Sequence, residues 1–453
     1  MLNYIWLGLI VLAVVIGGCT GHLKDVADAS FKSAEDGVMK TALPLVGIMA
    51  LWLGIMRLAE RAGLVALLAR ALRPLMVWLF PDVPANHPAM GSMLLNMAAS
   101  ILGLNNAATP LGLRAMKDLQ TLNPRPDTAT NAMCTYLAIN TSSIQLIPAT
   151  AIAVLAANHS NNPTAIVGTS IMATTCGAVS AVAAAKFLQR LPFFRLPLAT
   201  APAPKASEPG QNEATNARAA ADRSPVTEAA TLQPLPSWGL PVLGTFGLFF
   251  VYLFIRFAFP SFLGFQPSTE AAGQTTFVRV VDAVSKLSIP MLLSVFPLYA
   301  ALRRVKVYEE FVDGAKEGFE VGIRIIPYLV AILVAIGMFR AAGGIDMVSN
   351  ALRPIMVTVG FPPDLLPLVL MRPLTGSGTL GIFAELVKQC GPDSLVARMG
   401  GTIFGSTETT FYVLAVYFGS VGVTKARYAV LAGLTADFIA VVASVFICRL
   451  VFA

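Results

Sequence analysis

Apolar runs near membrane-spanning length recur along this chain, separated by short polar or basic stretches: Met1–Cys19, Thr41–Met56, Ala129–Ala157, Pro163–Phe187, Gly239–Phe259, Ala283–Leu302, Val321–Phe339, Arg398–Phe418 and Ala432–Val451. A helix needs about 20 apolar residues to cross a bilayer, so these runs predict transmembrane helices. In the first run Ile16–Cys19 resembles a lipoprotein cleavage box, yet no Lys or Arg precedes Lys24. A cleavable signal opens on positive charge, so the run reads as a retained span with Tyr4 and Trp6 at the interface. His22–Lys40 reads as a loop of mixed charge, and Arg57, Arg61, Arg70 and Arg73 mark one basic amphipathic helix in the interface plane. Two further runs, Met90–Leu104 and Leu365–Met371, are too short to span and lead into Asn/Thr/Pro/Gly breaks, the pattern of re-entrant hairpins.

The run around which the others are organised is Arg398–Phe418, because Gly405, Ser406, Thr407, Glu408, Thr409 and Thr410 occupy its middle. An ionisable residue in a span faces a bundle interior or a wet cavity, which makes Glu408 a candidate functional residue. Unwound backbone at that depth is tolerated only where protein buries it or a cavity is lined by it. Three other polar breaks accompany this one. The candidate solute-binding residues are Asn105, Asn106 and Thr109; Asn140, Ser142, Ser143 and Gln145; Thr375, Gly376 and Ser377; and Ser406, Thr407, Glu408 and Thr409. Each has a plainer reading beside it. Glu408 could be a structural carboxylate paired with Arg372 or capping a broken helix; Asp437 and Asn140 could merely bond a neighbouring helix. Arg73 suits interfacial snorkelling, and Gly376 and Gly378 suit a tight turn.

Shifting the chain against itself by about 280 residues places Ala71-Leu72-Arg73-Pro74-Leu75-Met76 on Ala351-Leu352-Arg353-Pro354-Ile355-Met356, and Gly63 on Gly343. The order of features around them also repeats: a span, a stretch ending in Leu-Arg-Pro, a broken hairpin, a span with a polar centre, an unbroken span. Basic residues favour the cytoplasmic side. Placing Arg57–Arg73, Lys186–Arg195, Arg303–Lys306 and Lys425–Arg427 inside gives a cytoplasmic N-terminus, roughly nine spans and two hairpins. The two halves then have opposite orientation, with Gly239–Phe259 as the inverting span. Inverted repeats with discontinuous helices are an architecture of secondary transporters, so the four breaks are expected to converge on one pocket. The expected fold is an all-α polytopic membrane protein. Residues 1–199 form a first half, 200–237 a flexible cytoplasmic linker rich in Ala, Pro, Ser and Thr, and 238–453 a second half.

Composition agrees: 56% of the 453 residues are hydrophobic, 13% are charged, and mean hydropathy is +0.70. Soluble domains carry about 25% charge. The net charge of +7 sits in short loops, where it signals topology rather than a polyanion site. Five scattered cysteines without a CxxC pair imply neither a disulfide framework nor zinc, and His22, His87 and His159 fall in loops. No nucleophile triad, P-loop or metal constellation points to an enzyme; GSGTLG after Arg372 lacks the preceding strand and the following GK[ST].

Leu95–Pro124 and Asn140–Thr150 resemble the signature of spore maturation protein A, and Arg372–Gly381, Gly391–Ser394 and Phe404–Gly422 resemble that of spore maturation protein B. The likeness covers nearly the whole chain apart from the linker, as if the two were fused. Both belong to the nucleoside recognition or Gate-domain group, which includes concentrative nucleoside transporters and the membrane part of ferrous iron transporters. The resemblance implies a fold like the nucleoside-transporter core, with hairpin tips and unwound helices carrying solute and cation; Gly405-Ser406-Thr407-Glu408 is similar to a Gly-x-Thr-Glu hairpin motif there. The expectation is a multi-pass protein of the bacterial cytoplasmic (inner) membrane that transports a small polar, nucleoside-like solute coupled to H+ or Na+ through Glu408. The alternative is a non-transporting envelope factor that binds a ligand or partner in cell-wall or spore-core maturation. Its partners are then the solute and the lipid bilayer, with no nucleic acid and with a homo-oligomer left open; no cofactor or metal is expected.

Overall fold

The computed structural model describes residues 2–142, 144–194, 235–264, 274–344, 347 and 360–452, and these are nearly all helical. The linker from 200 to 234 and the second Leu-Arg-Pro stretch, Ala351–Met356, lie outside the described residues. In order the helices are α1 Leu2–Thr20, α2 Leu23–Asp36, α3 Leu43–Arg61, α4 Leu64–Leu79, α5 Pro88–Leu102, α6 Asn105–Gln120, α7 Asn131–Thr141, α8 Ala149–Ala157 and α9 Ile166–Leu188. After the linker come α10 Gly239–Ala258, α11 Thr276–Leu302, α12 Val307–Ala341, α13 Leu366–Met371, α14 Gly376–Cys390, α15 Leu395–Ser406, α16 Thr410–Gly419 and α17 Ala429–Phe452. Among the described residues, five helices are long and apolar enough to cross a membrane: the continuous Leu23–Arg61 rod, α9, α10, α11 and α17. Shorter apolar helices run over Trp6–Thr20, Pro88–Leu102 and Leu329–Ala341. The chain is a multi-pass membrane protein.

Two segments differ from their sequence reading. His22–Lys40 is helical: α2 continues through a π-helical stretch, Gly37–Ala42, into α3. Its mixed charges do not oppose helix formation because Ser33 and Ala29 meet the bare backbone at Gly337 of α12, while Asp36 pairs with Lys388 of α14 at 2.5 Å. Likewise Arg57–Arg73 is not one interfacial helix. Gly63, with φ +81°, turns the chain between α3 and α4, so Arg57 and Arg61 face Glu310 of α12 while Arg70 and Arg73 sit on the exposed face of α4. Gly343, the residue aligned with Gly63 by the 280-residue offset, has φ +82°. Left-handed backbone is open to glycine at little cost, which explains the residue type at both turns.

Packing joins helices from before and after the linker. Along α3 and α12, Gly54 lies against Phe311, Gly314 against Leu53, Gly318 against Ala50 and Gly322 against Val46, so the helices run antiparallel. A Cβ added at Gly318 would sit 2.6 Å from Ala50 Cα, a backbone approach that only glycine permits. The unbroken helices α9 and α17 pack together, with Gly177 beside Ala436 and Ala440. Each short run forms a helical hairpin: α5 turns at Gly103 (φ +79°) into α6, and α13 turns through Arg372–Thr375 into α14.

The basic loops are tied to one another. Arg57 and Arg61 meet Glu310, just beyond Arg303–Lys306; Lys186 Nζ donates to Leu79 O at 2.9 Å; Arg427 donates to Phe194 O. Lys425 pairs with Asp127 at 2.7 Å, beside the isolated bridge between Thr128 and Lys425. By contrast α10 turns most of its surface outward, with Leu240, Leu248, Phe249 and Val251 exposed as on a lipid-facing span.

Candidate functional site

Two discontinuous helices make the centre. One is α7, the break at residues 142–148, and α8; the other is α15, the break Thr407–Thr409, and α16. They lie side by side and antiparallel along their whole length. Asp393 accepts from Ser160 (2.7 Å) and Asn161, Gly405 packs on Pro148, Glu408 N donates to Thr141 O at 3.2 Å, Tyr417 stacks on Tyr136 at 6.3 Å, and Lys425 pairs with Asp127. The two breaks therefore face each other at the middle. Each start is capped by a hydroxyl: Thr130 accepts from Met133 N and Ser394 accepts from Ala397 N, satisfying donors that a buried helix end would otherwise leave open.

The hairpin tips join this pair. Arg372, 5% exposed, sends Nε to Thr407 Oγ1 at 3.1 Å and Nη2 to Phe404 O at 3.0 Å and to Thr407 O. Its guanidinium carbon lies 4.4 Å from the centroid of the Phe404 ring, which stacks on Phe383. Phe411 N donates to Pro373 O at 3.0 Å, and Gly376 lies against Thr409 Oγ1. Thr375 caps α14 by accepting from Gly378 N, which is the turn role open to Gly378 from the sequence. On the other side Leu146 N donates to Ile101 O, holding the α7–α8 break against the end of α5. Asn96 of α5 accepts from Tyr136 Oη at 2.6 Å and donates to Ala108 O at 2.7 Å, while Gly112 of α6 leaves room for Tyr417.

Contacts thus link all four breaks, though the individual residues differ in what they do. Thr407 and Thr409 are buried; Glu408, Ser377 and Thr109 are half-buried. Ser406 meets Ser444 of α17 at 3.2 Å. Asn140 donates to Tyr136 O and Ser142 to Ile139 O, both bonds closing turns of their own helix; Ser142 O also accepts from Thr174 of α9. Gln145 is half-buried in the break. Asn105 and Asn106 open α6, though their side chains are not among the described features, and Ser143 lies outside the described residues. Glu408 Oε1 accepts from Thr409 N at 3.3 Å. Arg372 is bonded chiefly to the Thr407 break, and both Glu408 and Asp437 are near enough to interact with its charge.

Missing from the sequence-derived set are Asn96, Tyr136, Thr141, Tyr417 and Ser444, along with Arg372 and Asp437, which were singled out without being assigned to the pocket. Arg372 had a signal in its place beside the TGSG break; Asn96 and Ser444 had none beyond being polar in an apolar run. A cavity of about 260 Å³ opens beside the first two breaks, between α3 and the tips of α5 and α8. Trp52, Arg57, Glu60, Gly103, Leu104, Ile147, Thr150 and Glu317 are in its wall, neighbours of the candidate polar residues rather than those residues themselves. A second, mainly apolar cavity of about 330 Å³ lies between α12 and the second hairpin, against Ile332, Ile336, Met371 and Leu374. Shifted by 280 residues, Trp52 and Met56 of the first wall fall on Ile332 and Ile336 of the second.

Among the described residues no group of three or more His, Cys, Asp or Glu side chains is placed to hold a metal ion. The available ligands are hydroxyl, carbonyl and carboxylate oxygens and one guanidinium, a set suited to polar solutes and small hard cations. The chain matches the family described as Gate, nucleoside recognition, over residues 42–190 and 322–424, together just over half of its length. It is 45% identical over 182 residues to spore maturation protein A of Bacillus subtilis (strain 168), covering 40% of this chain and 92% of that protein. It is 43% identical over 175 residues to spore maturation protein B of the same organism, covering 39% of this chain and 98% of that protein. No solved structure matches the chain. This multi-pass protein belongs to the nucleoside recognition (Gate) family and is homologous to spore maturation proteins A and B.

Proposed function

We propose that the protein is a permease of the bacterial cytoplasmic (inner) membrane that binds a small polar, nucleoside-like solute between its two halves and carries it with H+ or Na+. The observation that carries this reading is the antiparallel pair of broken helices with their breaks opposed. Two inverted halves would produce this pairing, together with the antiparallel α3 and α12 and the matched left-handed glycines at 63 and 343. Discontinuous helices meeting at mid-membrane are how secondary transporters build a solute site and let one half rock against the other. Glu408, half-buried in the break, would meet the solute; Thr407 and Thr409 beside it and Ser377 at the facing hairpin tip would complete the site. The cavities beside α3 and α12 would be its two approaches.

The relatives are called spore maturation proteins, which favours a second reading, an envelope factor that binds a ligand or partner without moving it. A thermal-shift screen of purified protein against nucleosides, amino acids, dicarboxylates and metal ions identifies the ligand class. A specific ligand raises the midpoint by mass action on the folded state. Flux of that ligand into proteoliposomes supports the permease; binding without flux supports the envelope factor; no binding from any class contradicts the solute site.

A further inference from the structure

The centre holds one buried carboxylate oxygen that the protein does not satisfy. Asp437 lies a third of the way along α17 and is 6% exposed. Its Oδ2 accepts the Thr410 hydroxyl at 2.5 Å, whereas its Oδ1 is buried with no hydrogen-bond partner among the described residues. Buried polar atoms are nearly always paired, and an ionised oxygen left bare inside a membrane protein is strongly disfavoured. Something positive belongs at Oδ1.

The surrounding elements limit what that can be. Arg372 and Glu408 are the charged groups that reach Asp437. Nε and Nη2 of Arg372 are already engaged by Thr407 and Phe404. From α7 comes Thr141, whose hydroxyl lies beside Gly433, one turn before Asp437, together with Thr410 of α16; α9 brings the bare backbone of Gly177 to Ala436 and Ala440; α15 brings Ser406 to Ser444. These neighbours are oxygens or apolar atoms. One guanidinium therefore lies within reach of two carboxyl groups.

We propose that Asp437 is the monovalent-cation site of this protein, its Oδ1 taking a proton or a sodium ion, while Glu408 is left to the solute. A sodium ion suits the set because its ligands would all be hard oxygens, from Asp437, Thr410 and Thr141. Loading the site clasps α17 to the first turn of α16, one residue from the Thr407–Thr409 break. Cation binding stands on the geometry of Asp437 alone; its use in coupling rests on the permease reading.

The test uses full-length protein in detergent, with no solute present. The thermal midpoint is followed as choline chloride is replaced by sodium chloride at constant ionic strength and pH, and infrared difference spectra follow the carboxyl stretch as pH is raised. A sodium site gives a saturable rise of the midpoint. A proton site gives no sodium response and a protonated-carboxyl band that is lost at high pH. Either response should vanish in Asp437→Asn and persist in Asp313→Asn, an exposed control on α12. Thr410→Val, which keeps the carboxyl, should raise the sodium needed about tenfold or displace the pH midpoint by about one unit, so the proposal stays testable if Asp437→Asn does not fold. A response that survives in Asp437→Asn, an unchanged response in Thr410→Val, or neither response in the wild type would overturn the assignment. Solute binding enters none of these readouts, so the cation site and the solute site fail separately.

Discussion

Arg372 holds the site together at the scale of single residues. Its guanidinium bonds the Thr407 hydroxyl and the Thr407 and Phe404 carbonyls and stacks on Phe404, a planar, multi-donor role that lysine cannot reproduce. Arg372→Ala leaves buried carbonyls and two carboxyl groups without their cation. It should cost on the order of 3–5 kcal/mol, read as a large fall in the thermal midpoint in detergent. Arg372→Lys should recover only part of that loss; full recovery would mean that charge alone matters. Glu408→Gln is expected to behave differently, abolishing solute-induced stabilisation while leaving the midpoint of the solute-free protein close to wild type, because the amide keeps the shape and gives up the charge. An equal solute response in the variant would return Glu408 to a structural role. Glu408 was legible in the sequence because a carboxylate in an apolar run is rare. Asn96 and Thr141 were not, since what makes them central is a partner 40 residues or more away in the chain, Tyr136 for one and Glu408 for the other.

Helices are where pattern and packing part company. The polar breaks at residues 140–145 and 406–410 announced two broken helices, and both are present. The α2 helix was hidden because its charges mimic a loop, and its partners, Gly337 and Lys388, lie some 300 residues on. The seam between α3 and α12 did leave a trace: Gly314, Gly318 and Gly322 recur every four residues, the spacing of a close helix contact. Gly318→Ala should push α3 and α12 apart and cost about 1–3 kcal/mol, measured as a lowered midpoint; Gly244→Ala on α10, where an added Cβ meets nothing within 4 Å, should not. At the ends of the broken helices the Asp127–Lys425 clasp is exposed, and its hydrogen bond from Lys425 holds the Asp127 carboxyl below the usual carboxylate range. A depressed folded-state value means the clasp is intact above that range and loosens as pH falls through the lowered value. Amide exchange at Thr424 and Lys425, whose N–H groups donate to Asp127 O, should therefore accelerate only at strongly acidic pH in the wild type, and at neutral pH in Lys425→Ala.

For the whole molecule, contacts at both ends and the middle bind the parts of the chain before and after the linker, so the linker is expected to serve only as a tether. Protein cut within residues 200–234 should co-purify as one complex and keep its solute response; separation of the halves would contradict this. The ties among the basic loops imply one common face, and under the proposed topology that face is the cytoplasmic one. On a functional cysteine-free background, a cysteine at Ser224 should then resist an impermeant reagent added outside cells. The most direct test of the central claim, a shared mid-membrane solute site between inverted halves, is the accessibility of a cysteine at Ser377, half-buried at the second hairpin tip. In vesicles of known orientation the account predicts that impermeant reagent reaches Ser377→Cys from either side and that the solute protects it from both. Labelling from one side alone, unchanged by solute, would contradict it.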